Sequence, residues 1–493
     1  MSKKNCAGGT APDAPAARQP EALVVQAPVP EAVAPVSASY TLGFLSALLI
    51  AVALNPLNST MLATAIASIE RDFSDPVSVG AWLVAALYLA SAIAQPVLGN
   101  IADLVGPRRM LLVGLLLVGM SAVLGYIAST LTLLLVSRVI LAVGTAAGYP
   151  AVMAILNKTA DAQGLRPSAR MLAALSIAMN VSVAVGPVAG GLLVEGFGWR
   201  ATFVVNLPLA VVAGLLVLVA IEPDGERSSL RVAFARLDLT GIALFGASVS
   251  ALLVFLIHST EAIQWPLFAV FSLLAMALVW VEWHKRQPFI DVRMLAGNSP
   301  LVCVYLRQGL VFLGSYLLFY SFPQWLQDFR NLSPALIGVL LLPMPVVSSI
   351  IAWKLAGRAP STQYLVGALA MLVCGPAVLA MDGNPSSLLV VLIAVALGLA
   401  TGATTQGNQQ GLIEFGPPGS MGAVAGMFRT AQYGGAMLSA CIGAWVFTDK
   451  ASPGSMNGIG VALVPVALAL LLLALLDRRS GPASRDQPSD SLG

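Results

Sequence analysis

Asn180 to Leu193 reads NVSVAVGPVAGGLL, in the middle of a long apolar run. A helix written in Gly and Pro gives up about 1 kcal/mol per Gly and about 3 kcal/mol per Pro relative to Ala, so local stability did not select these residues. At helical spacing Ala174, Ala178, Ser182, Gly186 and Gly190 fall four apart and form one stripe of small side chains. In lipid, which is as apolar as Leu, such a stripe lets a second backbone come close. Pro187 removes one backbone donor and crowds the Val183 carbonyl, which predicts a bend where the stripe is deepest. The stretch reads as a bendable, tightly packed membrane helix, expected beside the helix that carries Arg138.

The rest of the chain agrees with a membrane setting. Hydrophobic residues make up 58% and charged residues 10%, whereas a soluble domain carries roughly 25% charged residues. Mean hydropathy is +0.86, which excludes a soluble globular protein. A net charge of +3 gives no argument for nucleic acid. Cys6, Cys303, Cys374 and Cys441 form no CxxC, so neither a disulfide framework nor a metal site is expected. His258 and His284 stand apart near helix ends and read as interfacial. No nucleophile, general base and orienting group can be proposed together, so no catalytic residues, no cofactor and no enzyme are expected. The absence of GxxxxGK[ST] argues against a built-in ATPase.

Fourteen apolar segments between Tyr40 and Leu476 reach the roughly 20 residues a bilayer requires. Two longer polar connections, Glu222 to Arg236 and His284 to Asn298, divide them into six, two and six. The expected fold is an all-α membrane protein of fourteen transmembrane helices, in two six-helix half-bundles plus an inserted two-helix hairpin. Its parts are a disordered Pro- and Ala-rich tail (1–38), the first bundle (39–221), a connecting segment with two extra helices (222–298), the second bundle (299–476) and a short tail (477–493). Nineteen of the 26 Lys and Arg residues then fall on one side and four on the other. By the positive-inside rule both termini are cytoplasmic. Repetition at this scale is how many secondary transporters are built, with the substrate held between the halves near the midplane.

The loop after the second segment, GNIADLVGPRRML, places Gly99, Asp103, Gly106 and Arg108 at spacings that resemble the signature of the major facilitator superfamily between helices 2 and 3. The resemblance implies a conformational switch loop whose Asp and Arg contact helix ends in one state and release them in another. LVSRVILAVGTAAGYP resembles the helix 4 signature through Arg138 and Gly144, with Leu141 and Ala142 departing from it. A charge as deep as Arg138 costs at least a few kcal/mol unless it faces a cavity or partner, so it is expected to face the central cavity. GPVAGG, with Gly186, Pro187, Gly190 and Gly191, resembles the helix 5 motif of the exporting branches. Trp199, Arg200, Phe203, Asn206 and Pro208, with PQWLQ, SPALIGVLLLP and GMFRTAQYGGA, resemble the fourteen-helix drug:proton antiporters, the multidrug-resistance type of exporter.

That branch carries an Asp in helix 1 where LNSTMLATAIA has Asn58, an amide that keeps the shape but carries no proton. No acidic residue is read deep in any segment, so proton coupling would need a rim carboxylate. Arg307 is read as a residue that snorkels, and Arg429 as a binder. Substrate-binding candidates are Asn55, Asn58, Asn180, Tyr320, Gln324, Gln409 and Arg429, with TTQGNQQG (Thr404 to Gly411) the densest polar cluster. The expectation is a multi-pass transporter of the bacterial inner membrane, monomeric and surrounded by lipid bilayer. It would export a small apolar or amphipathic compound by alternating access with protons as the coupling ion. The alternatives are an importer or uncoupled facilitator, and a non-transporting receptor or scaffold.

Overall fold

The computed structural model describes residues 41–73, 79–225, 237–258, 263–286, 288–328, 330, 332, 334–381, 386–446 and 453–479. The expectation for the 1–38 tail, and that for the last tail beyond Arg479, fall outside them. Eighteen helical segments lie among the described residues. The first half contains α1 (Leu42–Phe73), α2 (Val79–Val105), α3 (Pro107–Ile127), α4 (Leu131–Ala146), α5 (Gly148–Asp161), α6 (Ala169–Phe197), α7 (Ala201–Val204) and α8 (Asn206–Ala220). A helical pair follows, α9 (Leu239–His258) and α10 (Trp265–His284), and the short α11 (Val292–Gly297) leads onward. The second half contains α12 (Ser299–Asp328), α13 (Pro334–Leu341), α14 (Pro343–Lys354), α15 (Pro360–Leu379), α16 (Ser387–Phe415), α17 (Met421–Val446) and α18 (Pro453–Arg479).

Twelve helical stretches among the described residues are long and apolar enough to cross a membrane. Alternate helix ends gather at one face, which carries Arg108, Arg109, Lys158, Arg170, Lys285, Arg358 and Arg478 and is here named the basic face. Side-chain caps fix several starts: Thr130, Ser168 and Ser386 accept from the backbone N–H of Leu133, Met171 and Leu389. Gly106, at φ 110°, lets the chain reverse between α2 and Pro107 at the head of α3.

Three stretches expected as single helices are each broken in two, between α4 and α5, α7 and α8, and α13 and α14. Each break has one cause. Pro150, Pro208 and Pro345 have no N–H to offer Ala146, Val204 and Leu341, and those three residues end α4, α7 and α13. Pro187 has no such effect, and α6 runs unbroken through it.

The stripe on α6 packs against α1 rather than beside the Arg138 helix. A side chain on Gly186 would fall onto the Thr60 hydroxyl, and a Cβ on Gly190 would stand 2.9 Å from the Met61 carbonyl oxygen. Gly191, grouped with them by sequence, has nothing within 4 Å of its Cβ position and lies outside the seam. The correction follows from rotation: residues four apart share a face, whereas Gly191 is turned about 100° from Gly190.

The helical pair is tied to the bundles at its basic end. Asn100 donates to the Phe289 carbonyl at 3.1 Å, and the buried Glu282 accepts from the Ile290 N–H at 3.0 Å. Asp238 pairs with Lys285 and accepts from the Gly241 N–H at 2.7 Å. Burial works against the charged Asp238, yet these bonds more than offset it and hold its carboxyl below its ordinary pKa.

Candidate functional site

A cavity of about 90 Å³ lies between the halves near mid-depth. Its first-half wall is Asn55, Pro56, Ser59 and Thr60 of α1, Tyr88 of α2, and Ser176, Met179, Asn180 and Val183 of α6. Its second-half wall is Phe312 and Tyr316 of α12, Ser348 of α14, Thr401, Gly402, Thr405 and Gln409 of α16, and Phe428, Arg429, Gln432 and Tyr433 of α17. Among the described residues, Arg429 is the one formally charged group in this lining and no carboxylate belongs to it.

Arg429 is held firmly. Its Nη1 donates to Gln432 Oε1 at 2.7 Å, and its guanidinium carbon lies 5.2 Å from the Tyr149 ring and 5.5 Å from the Tyr433 ring. The Tyr433 hydroxyl donates to Asn55 Oδ1 at 2.6 Å, and Asn55 Nδ2 donates to Thr145 Oγ1 at 2.9 Å. One polar chain thus runs from α4 through α1 to α17 and orients the cation over aromatic faces. Across the cavity Asn180 donates to Ser348 Oγ at 3.0 Å and Ser176 donates to Gln409 Oε1 at 3.1 Å.

Between the cavity and the basic face the halves are closed. Both carboxylate oxygens of Asp103 accept from the first turn of α17, from the N–H groups of Gly422 and Ala423 at 2.9 Å each. A carboxylate there satisfies orphan donors and meets the positive end of the helix dipole. The contact needs glycine on both sides. A Cβ on Gly99 would collide with the Gly422 carbonyl, and one on Gly422 would stand 2.8 Å from Asp103 Oδ1. Arg108 Nη2 donates to the Leu218 carbonyl at 2.9 Å, near the end of α8. Behind Gly106, Asp224 accepts from the Arg109 N–H at 2.9 Å and pairs with Lys158 at 3.6 Å. Gln406 Nε2 reaches across to the Ala169 carbonyl at 3.0 Å, and Tyr149 stacks on Phe428 at 6.0 Å.

Of the binding residues expected from sequence, Asn55, Asn180, Gln409 and Arg429 converge on the cavity. Asn58 does not. It is 2% exposed and locked in a reciprocal amide pair with Asn206 of α8, Nδ2 to Oδ1 at 2.6 Å one way and 2.8 Å the other. Three residues along a helix is a net offset of about 60°, so Asn58 lies at the edge of the face that Asn55 uses, where it meets α8. The side chains of Tyr320 and Gln324 lie outside the described set.

Arg138 does not face the cavity either. It is buried among α3, α4 and α7, with its guanidinium carbon 4.3 Å from the Phe203 ring centroid and its Nε without a partner. An aromatic face, rather than water, receives the charge. Gly144, six residues on, serves another contact, its Cβ position standing 2.7 Å from the Gly114 carbonyl of α3. Arg307 does not snorkel: it is 1% exposed and paired inside the second half.

The sequence reading missed Phe312, Tyr316, Gln432 and Tyr433. The last two were accessible through GMFRTAQYGGA, because three and four residues past Arg429 is its own helix face.

The Major Facilitator Superfamily profile matches residues 48–440. An uncharacterized MFS-type transporter, YwoD of Bacillus subtilis, is 32% identical over 88% of this chain and 96% of its own length. The puromycin resistance protein pur8 of Streptomyces alboniger is 29% identical over 85% and 87%. The crystal structure of the human organic anion transporter MFSD10 superposes with a TM-score of 0.62 at 15% identity, covering 88% of this chain and 99% of that one, a likeness of fold. The chain belongs to the Major Facilitator Superfamily and is a multi-pass membrane transporter rather than an enzyme.

Proposed function

We propose that the protein is a fourteen-span secondary transporter of the bacterial cytoplasmic membrane that exports a small aromatic or amphipathic compound, neutral or anionic, by alternating access coupled to proton influx. The observation that carries this reading is the cavity between the halves, lined by five aromatic side chains and one cation, Arg429, with no carboxylate. Such a lining suits a flat apolar body with an acceptor or acidic group, and it disfavours a bare cation. The name of the Streptomyces relative, a puromycin resistance protein, supports a small organic substrate. The positive-inside rule makes the basic face cytoplasmic. The count of fourteen is supported by α2 and α17, helices of 27 and 26 residues that join the twelve spans above, with α9 and α10 as the inserted hairpin. In this reading the Asp103 contact is the latch of the outward-directed state.

A second reading, an uncoupled facilitator, is favoured by one specific feature: the neutral Asn58–Asn206 pair stands where the antiporter branch carries its acid. Everted vesicles separate the two. With an imposed pH gradient and a panel of neutral, anionic and cationic aromatic compounds, the antiporter accumulates neutral or anionic members and releases protons. Flux that only follows the compound's own gradient, indifferent to pH, selects the facilitator.

A further inference from the structure

The second half contains a charge cluster that the cavity does not use. Arg307 of α12 donates from Nη1 to Asp477 Oδ2 of α18 at 2.6 Å and from Nε to Asn408 Oδ1 of α16 at 3.2 Å. Its guanidinium carbon lies 3.8 Å from the Tyr364 ring centroid on α15. The two ends of the ion pair differ in access: the Arg307 side chain is 1% exposed and that of Asp477 is 23% exposed, at the basic end of α18. The carboxylate is therefore the outer end of the pair, at the basic end of α18, while the cation stays inside. Beside the pair, Gln308 Nε2 is buried without a partner.

What lifts the cluster above a local brace is α16. Asn408 holds Arg307 on one side and donates to Gln308 Oε1 at 3.0 Å. The adjacent Gln409 accepts from Ser176, and Gln406 donates to the Ala169 carbonyl, both across the interface with the first half. One turn of helix thus joins the ion pair to the contacts that close the basic face. Gly407 and Gly411 keep this turn pressed on Tyr364, whose hydroxyl donates to the Gly407 carbonyl at 2.9 Å. A shift of Arg307 is transmitted to α16 because no slack separates them.

We infer that Asp477 is a proton-binding site that controls closure of the basic face, with Arg307 as its counter-ion and Gln406 to Gln409 as the link. A proton from the basic side forms an O–H bond on the Asp477 carboxylate. The Arg307 ion pair is thereby lost, and the guanidinium keeps its own proton and seeks acceptors elsewhere. Release of the proton to the same side restores the pair and this closed arrangement. Other titratable groups around the site are Glu414 on α16, Tyr364 on α15 and Cys303 on α12, and Arg478 and Arg479 follow Asp477 in the sequence. Asp477 combines a direct bond to Arg307 with a side chain that is 23% exposed. The site carries no proton across the membrane: it sets closure of the basic face by the pH on that side, and it rests on the reading of the protein as an exporter whose basic face is cytoplasmic.

The test needs no substrate. In vesicles with the basic face outward, Ser420→Cys beside the Asp103 contact is labelled with a membrane-impermeant maleimide from pH 5 to 8, each point normalised to denatured protein. With Asp477 in place, labelling rises as pH falls. Asp477→Asn is expected to raise labelling roughly tenfold at pH 8, within the usual range of coupling between sites, and to remove its pH dependence. Asp477→Glu is expected to retain that dependence. Should Asp477→Asn leave Arg307 too poorly compensated to fold, the neutral pair Arg307→Gln with Asp477→Asn takes its place with the same expectation. Labelling of the unsubstituted pair that ignores pH, or a neutral variant that keeps the original profile, overturns the inference. Loss of pH-driven flux across the compound panel, with the labelling profile intact, overturns the proton-antiport reading alone.

Discussion

Two glycine seams hold this molecule, and they are alike in chemistry but opposite in duty. Gly186 and Gly190 of α6 press on α1 within the first half, while Gly99 of α2 meets Gly422 of α17 across the two halves. The α6 seam is packed against side chains and carbonyls of one bundle, with Ser182 turned back onto the Ala178 carbonyl. The α2–α17 seam adds Asp103, a charged acceptor on helix donors. Dispersion alone suits a contact meant to persist. A charge on a helix end supplies an interaction that water can replace, which suits a contact meant to open and close.

The largest effect is expected from Gly99→Leu. Its side chain meets backbone, which cannot give way in this arrangement but has no such neighbour once the halves part. Overpacking of about 1–3 kcal/mol or more then falls on one state only and shifts the population roughly fivefold to more than a hundredfold. Labelling from the basic face should become constant, transport should vanish, and melting temperature should change little. Gly186→Leu should invert that pattern. The α1–α6 contact lies within one bundle, so in the proposed cycle the cost, again about 1–3 kcal/mol, falls on bundle stability. A fall in thermal stability of the purified protein together with lost transport is the expected result; unchanged melting with lost transport would make this seam a moving part as well.

Asp103→Asn comes next. The amide retains one acceptor and loses the charge, for which roughly 1–2 kcal/mol at a helix N-terminus is a fair scale, about tenfold in the open-to-closed ratio. Reporter labelling should rise by that factor. Gly191→Ala closes the series: with open space at its Cβ position it should leave both melting and transport within about 0.5 kcal/mol of the parent. A large loss there would mean that α6 uses a face not in contact in this state.

The spacing of four along α6 revealed a seam because helical rotation is a local property, yet it could not name the partner, which proved to be α1. Asp103 was legible by another route, the resemblance of Gly99, Asp103, Gly106 and Arg108 to the superfamily signature, which implied contacts with helix ends, although Asp103 sits in the last turns of α2 rather than in a loop. Asn58 was misplaced because polarity in a membrane helix signals only that lipid is avoided, and a neighbouring amide answers that need as well as a substrate does. Arg138 was misplaced in the same way, its partner being a phenyl ring from another helix. Asp477 was assigned to a tail because hydropathy ends the last segment one residue earlier. Its partner lies 170 residues away, a distance over which one sequence has no voice.

The central cavity, about 90 Å³, has room for several water molecules and no more. A compartment that receives an organic molecule needs roughly 300 Å³ or above, so the proposed exporter has to widen this cavity, and water has to enter and leave it, as it turns over. The protein is therefore an osmotic device as well as a chemical one. Solutes too large to enter should draw water out of the open states and favour the narrow one, and turnover should slow in concentrated polymer even with substrate, voltage and pH gradient unchanged.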